Sequence, residues 1–303
     1  MASPASECPL WVIGGHFGVT KADTIRRPSH GHSDTRALPP KIKHIVDSQI
    51  VLEFMHQRRA DWSSDNDCQR AARQTSGTMM DQLIYTPGIF DQKSIAAAKQ
   101  VVLTVPRDIA DEFWDRATVA TGNLIMEAMR PTQDDVLLDF GCGIGRLAKE
   151  LIGRTGCRVV GVDISAAMRG HAVEYVASDR FSVMSSEEFA QLSANRTRTF
   201  SGAYAIIVLQ HVLEPQIELR RIAATCNVEA PFFVYNCINR CVPSNKGWVN
   251  DGQDVGRLAS EIFDFQRQFE VPQAMLLYPN QGPLPGEIEG HWFRLFRNKS
   301  IEA

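Results

Sequence analysis

The sequence has no apolar run approaching the roughly 20 residues a helix needs to cross a bilayer, so no spanning segment is expected in its 303 residues. It has no C-x-x-C pair. Its seven cysteines (Cys8, Cys68, Cys142, Cys157, Cys226, Cys237 and Cys241) are odd in number and scattered. That argues against a zinc site or a disulfide framework and for a reduced, cytoplasmic compartment. Cys237 and Cys241 read as two ordinary thiols at the end of a buried strand rather than as a metal or redox pair. No excess of one charge is present: charged residues are 22% and the net charge is −3. With no recognisable nucleic-acid module either, the chain is not expected to be a general nucleic-acid binder. Met1–Gly18 lacks the basic start and long apolar stretch of a signal peptide, and Arg26-Arg27 lacks the hydrophobic segment a twin-arginine signal needs. Internal repeats and metal-ligand clusters are absent as well, and the pattern leaves oligomeric state open.

Apolar residues make up 44%, enough for a full core. Residues 1–40, rich in Ser, Pro, Gly, His and Arg, read as a flexible tail. Apolar residues spaced three and four apart from Ile42 to Met55 predict an amphipathic helix over 41–60, followed by a polar loop at 61–78. Further helices are expected over 92–103 and 107–130, with Pro131 just past the second. From residue 134 short apolar runs alternate with helical segments. Strands are predicted at 136–140, 158–163, 181–184, 203–209, 232–238, 274–278 and 291–296, and helices at 146–153, 165–177, 214–226 and 254–269. The expected fold is α/β, a doubly wound, mostly parallel seven-stranded sheet with an N-terminal helical extension over 41–130. The last two strands are expected to form an antiparallel edge.

Ligands of such sheets bind beyond the carboxyl ends of the strands, where strand order reverses. The first crevice follows Asp139. Glycines at 141, 143 and 145 let the backbone turn tightly and approach a ligand, and the helix behind them points free N–H groups at it. A dinucleotide fingerprint is G-x-G-x-x-G. Here the third glycine comes one residue early and position 146 is Arg. Asp139, two residues before the first glycine, would repel a pyrophosphate and suits a ligand bearing an ammonium group. Asp163, 22 residues after Gly141, stands where an acid accepts hydrogen bonds from both ribose hydroxyls, although an N-cap role for Asp163 or Ser165 fits the same spacing.

Leu137 to Gly145, Val160 to Ser165, and Val208-Leu209-Gln210-His211-Val212 together resemble the class I S-adenosylmethionine (SAM) dependent methyltransferases, most clearly over residues 107–240. The resemblance implies a SAM-binding, Rossmann-like methyltransferase domain over 131–303. It also implies cofactor contacts from Asp139, Gly141, Cys142, Gly143, Gly145, Asp163, Ile164 against the adenine, Ser185, Ser186 and Leu209. Three places depart from the family pattern. Ser185 stands where Asp is common after the third strand, Phe200-Ser201 where Phe-Asp is common, and Cys226 to Pro231 where a Leu-Lys-Pro-Gly-Gly turn is common.

His211, just past the fourth strand, is a candidate general base, or a residue that merely caps or packs there. Tyr235, Asn236, Asn239 and Arg240, with Trp248 and His291-Trp292, are further acceptor-side candidates, or groups that satisfy loop backbone and core. The N-terminal extension is expected to cover an acceptor pocket, with Leu83, Ile84, Tyr85, Phe90, Phe113 and Trp114 as lining or core residues. The function expected from this resemblance is methyl transfer from SAM to a small molecule. An RNA or protein methyltransferase, and a catalytically silent SAM-fold scaffold, stand as the alternatives.

Overall fold

The computed structural model describes residues 83–103, 110–197, 199–275 and 291–299. The tail expected at 1–40, the helix at 41–60 and the loop at 61–78 lie outside them. Helices α1 (Ile95–Leu103) and α2 (Ala110–Met129) lead into strand β1 (Val136–Phe140). Then follow α3 (Arg146–Thr155), β2 (Arg158–Val162), α4 (Ala166–Val176), β3 (Phe181–Met184), α5 (Ser186–Ala194), β4 (Gly202–Ile206), α6 (Pro215–Thr225) and β5 (Pro231–Cys237). A small hairpin, β6 (Val242–Ser244) and β7 (Gly247–Val249), precedes α7 (Val255–Ile262), β8 (Phe263–Phe269) and β9 (His291–Asn298).

Seven strands form one sheet in the order β3-β2-β1-β4-β5-β9-β8. The first five are parallel, β9 is antiparallel to β5, and β8 is antiparallel to β9. From β1 the chain winds outward through β2 and β3, then returns to lay β4 and β5 on the other side. The reversal falls between β1 and β4, where this architecture opens its ligand crevice.

Apolar residues run continuously in the central strands because both sheet faces are covered. Leu138, Phe140, Ala205 and Val234 pack against Phe189 of α5, Leu219 and Ile222 of α6 and Ala259 of α7. Leu137, Tyr204, Phe233 and Tyr235 face the other way, toward Ala120 and Ile125 of α2 and Leu147 and Leu151 of α3. A smaller cluster of Ala98, Trp114, Ile144 and Met168 seats α1 and α2 against the glycine turn and α4.

Three expectations are corrected. The helix expected over 254–269 stops at Ile262, and Phe263–Phe269 is strand β8. Apolar residues at 258, 259, 262 and 263 mimic helical spacing, but Phe263 and Phe269 are the buried ends of a strand that β9 pairs along its length. The fourth strand ends at Ile206 rather than 209, because Ile207 turns into the left-handed region with φ +53°. The strand expected from Ala274 begins instead in a 3₁₀ turn, Gln273–Met275, with the rest outside the described residues. Helix α5 and the β6–β7 hairpin were not expected. α5 follows Ser185, whose side chain accepts from Glu188 N while Glu188 returns the bond, a capping box masked by a serine-rich run.

Asn298 locks the far end of β9. Its buried amide nitrogen donates to the carbonyls of Ala223, Cys226 and Asn227 at 2.9, 3.1 and 3.0 Å. Asn298→Ala strands these carbonyls and is expected to cost about 1–3 kcal/mol, read as a lower urea midpoint with an unchanged slope.

Candidate functional site

The site is built where β1 ends. Gly141, Gly143 and Gly145 all have positive φ, +78°, +55° and +75°. At Gly141 the constraint is double, because an added Cβ would sit 2.3 Å from Cγ2 of Val208. Val208 reaches that place because Ile207, whose N–H donates to Tyr235 O at 2.7 Å, bends the chain out of β4. A β-branched residue in the left-handed region costs about 1–3 kcal/mol, and such strain collects at functional sites. Gly145 precedes α3 in the left-handed conformation, so the first turn of that helix begins directly behind the loop.

Asp163 joins the two halves of the crevice. Its Oδ2 accepts from Gly143 N at 2.8 Å and its Oδ1 accepts from Ser165 N at 2.9 Å. Ser165 caps α4 by accepting from Met168 N, so the N-cap role foreseen at this turn falls to Ser165. Burial raises the Asp163 carboxyl to about 6, against these two bonds and the charge of Arg169. Ile164 beside it is 43% exposed. The Cys142 thiol is buried under Gly161, where a Cβ would meet Sγ at 2.7 Å.

Beneath the loop Asp139 is buried, and burial pushes its carboxyl up to about 7, with Tyr204 and Arg146 opposing and Asp163 adding to the rise. The Tyr204 hydroxyl is directed at this carboxylate yet closes no hydrogen bond of good geometry. Arg146, the first residue of α3, is 8% exposed. Its Nη1 donates to Thr118 Oγ1 at 3.1 Å, its guanidinium lies 5.4 Å from the Trp114 ring, and Nε has no hydrogen-bond partner among the described residues. Burial brings this guanidinium down to about 10. Sequence reasoning noted Arg146 only as a break in the dinucleotide pattern and passed over Tyr204. The polarity of both stands out only against their apolar neighbours in the fold.

Residues 83–93 cross this edge as a strap. Tyr85 bridges Ser244, Ile84 N donates to Asn245 Oδ1 at 2.9 Å, and Thr86 N donates to Pro243 O at 3.0 Å, all on the hairpin. At its other end Asp91 Oδ1 accepts from Ser165 Oγ and Ala167 N at 3.0 and 3.2 Å. Between these anchors Phe90 packs on His211 and Trp248, with centroids 5.5 and 6.2 Å away.

His211 has both ring nitrogens engaged. Nδ1 lies 2.7 Å from Cys241 O, which makes it the protonated nitrogen, and Nε2 faces Gln210 Nε2 at 3.2 Å. Burial lowers the ring to about 4, so it is neutral at pH 7. Arg240 is buried, with Nε and Nη2 on Asp251 and Nη1 on Leu209 O, so it ties the loop after β4 to the loop after β5. Asn236 Oδ1 accepts from Gln210 N at 3.1 Å, and Asn239 Oδ1 accepts from Asn250. The structure thus brings together Asp139, Gly141, Cys142, Gly143, Gly145, Asp163 and Ile164. Leu209 instead turns its side chain into the core. Ser185 accepts the capping bond, with Ser186 opening α5 behind it. Of the acceptor-side candidates Trp292 is buried in the core, while Tyr235 and His291 meet at 3.1 Å. Phe113 and Trp114 are core residues of α2.

A family model described as a methyltransferase domain matches residues 113–235. No curated protein gives a significant match to the chain. Among solved structures, the chain is similar to one from the Haloferax volcanii complex of a methyltransferase activator with a methyltransferase. That match has 14% identity and a TM-score of 0.50, and it covers 69% of this chain and 100% of the other. A geranyl diphosphate methyltransferase in complex with SAM matches at 15% identity and TM-score 0.48, over 66% of this chain and 94% of the other. The PH0226 protein of Pyrococcus horikoshii OT3 matches at 20% identity and TM-score 0.43, over 60% and 90%. At these identities the likeness concerns the fold.

The folded protein keeps the Asp139 proton up to about pH 7, whereas the unfolded chain loses it near 3.8. Stability therefore falls as pH rises between those values. Asp139→Asn removes this loss. By thermal melts it is expected to match the parent near pH 3.5 and to exceed it at pH 8 by on the order of 4 kcal/mol.

Proposed function

We propose that this enzyme, whose residues 113–235 match a methyltransferase domain, transfers a methyl group from SAM to a small-molecule acceptor. The observation that carries the cofactor assignment is the bond from Gly143 N to Asp163 Oδ2, which sets an acid beside a loop of three glycines whose two side chains, Cys142 and Ile144, are buried. The donor chemistry of the crevice suits the cofactor. A carboxylate has about four lone-pair sites, and Asp163 uses two of them on backbone N–H groups, leaving two for the ribose hydroxyls. Ile164 offers its exposed side chain to the adenine. Ser185, whose hydroxyl is an acceptor in the capping box, and Ser186 beside it stand toward the adenine edge. Gly141, Cys142, Gly143 and Gly145 present backbone to the methionine part, and Asp139 lies beneath as the acid that answers its ammonium group.

SAM supplies a methyl group already activated on a sulfonium. The chain supplies orientation and exclusion of water. The strap of residues 83–93 runs across the carboxyl edge from the hairpin to α4, and α1 lies against the loop, with Val102 Cγ2 3.0 Å from where a Cβ on Gly143 would stand. A cover drawn from the chain itself suits a small acceptor better than a macromolecular one. Residues 131–303 then serve as the catalytic domain, and the described residues 83–103 as part of the cover. His211, neutral and held on both sides of its ring, orients the loop after β4 on the acceptor side. Among the described residues no helix is long and apolar enough to cross a membrane, and the five described cysteines are free, which accords with a cytoplasmic setting.

Gly141→Ala drives a methyl group into Val208 and is expected to weaken S-adenosylhomocysteine binding at least tenfold by calorimetry. The acceptor class is read from transfer of labelled methyl from SAM. Label in a metabolite extract supports a small molecule, whereas label in an RNA or protein fraction instead would overturn it. His211→Asn is expected to lower the melting temperature by several degrees while S-adenosylhomocysteine affinity stays within about twofold, measured on the same samples.

A further inference from the structure

A second histidine stands at the carboxyl edge, and its surroundings differ from those of His211. In the register of β5 with β9, Tyr235 pairs with Phe293 and Cys237 with His291. Residues two apart on a strand share a face, so these four lie on the α2 side of the sheet, the side that also holds Asp139, Tyr204 and Arg146. The Tyr235 ring stacks on Phe293 at 4.0 Å and 9°, which fixes the direction of its hydroxyl. That hydroxyl lies 3.1 Å from His291 Nδ1, and Cys237 Sγ lies 3.5 Å from the same nitrogen. Burial lowers His291 to about 4 and raises the Cys237 thiol to about 12, so the ring and the thiol are both neutral at pH 7.

We propose that Tyr235 and His291 form the proton-accepting pair on the acceptor side of this site, and that the acceptor is a molecule whose attacking atom carries a dissociable proton, a hydroxyl above all. This rests on the methyltransferase reading. A tyrosine hydroxyl that donates to Nδ1 leaves the ring proton on Nε2 and a hydroxyl oxygen turned to the acceptor. As the acceptor's O–H proton moves to the Tyr235 oxygen, the tyrosine's own proton moves to Nδ1. The ring is an imidazolium only in passing: as the product leaves, the Tyr235 oxygen gives the acceptor's proton to water and takes its own back from Nδ1, which restores the neutral ring with its proton on Nε2. Proton count and charge balance, and no further reactant is needed. His211 has no equivalent path, because its Nδ1 proton is held by Cys241 O and its Nε2 lone pair by Gln210. Tyr235 touches the acceptor, and His291 acts through Tyr235 as a positioning and proton-holding residue.

The test uses the full-length protein. Tyr235→Phe removes one oxygen and keeps the stack on Phe293, so it stays readable even where His291→Asn fails to fold. Both variants are expected to bind S-adenosylhomocysteine within twofold of the parent by calorimetry. Labelled methyl transfer into the extract is expected to fall about a hundredfold, in line with general acid–base contributions. Added imidazole is expected to restore part of the transfer in His291→Gly, a response that a purely structural histidine does not give. Parental transfer by Tyr235→Phe, or His291→Gly that imidazole leaves unchanged, overturns the proposal while the methyltransferase reading stands. A parent that binds S-adenosylhomocysteine yet labels nothing overturns that reading, and the proposal with it.

Discussion

The site depends on one close approach, the side chain of Val208 against the bare α-carbon of Gly141. Val208 occupies the place a Cβ at 141 would take. It can do so because Ile207 accepts a left-handed backbone immediately after β4. The two strand ends flanking the reversal in strand order are thereby pressed together, and the glycine turn is pushed up and over toward Asp163. The bond from Gly143 N to Asp163 then holds the loop open on the side where a ligand approaches. Strain at 207, absence of a side chain at 141 and the acid at 163 act as one device spanning three strands.

Around this device the molecule gathers ionisable groups in an apolar setting. Asp139, Tyr204 and Arg146 lie on the α2 face, and Arg146 answers Asp139 across the loop without an ion pair. Arg240 and Asp251 form an ion pair that also satisfies the carbonyls of Leu209 and Leu213. A charge held in this way is costly to remove from one partner alone, because the other is left buried. The two arrangements differ in purpose. The Arg240 group is saturated and fixes loops. The Arg146 and Tyr204 group leaves Arg146 Nε and the Tyr204 hydroxyl without a hydrogen-bond partner among the described residues.

Much of the α/β architecture was legible in the sequence because its signals are local. Val136 to Gly145 and Val160 to Ser165 each place strand, turn and helix start within about ten residues of text. The failures share one cause, dependence on distant partners. Phe263 to Phe269 reads as helix until β9, more than twenty residues later, claims its hydrogen bonds. Leu209 sits in the right motif but faces inward, since the turn at Ile207 rotates the segment. Ser185 fills the place of a common acid, yet its bond to Glu188 shows that the position also starts a helix. The pairing of Tyr235 with His291 joins residues 56 apart, which no spacing rule reveals.

The strand order has a consequence for assembly of the chain during synthesis. β9 lies between β5 and β8, so β8 has no partner in the sheet until residues 291–298 have emerged. A nascent chain that has released α7 and β8 therefore presents Phe263, Phe265 and Phe269 to solvent for the time needed to add more than twenty further residues, a window in which unpaired strands are open to mispairing. The last strand thus does more than close an edge. Its arrival ends the interval in which β8 stands unpaired.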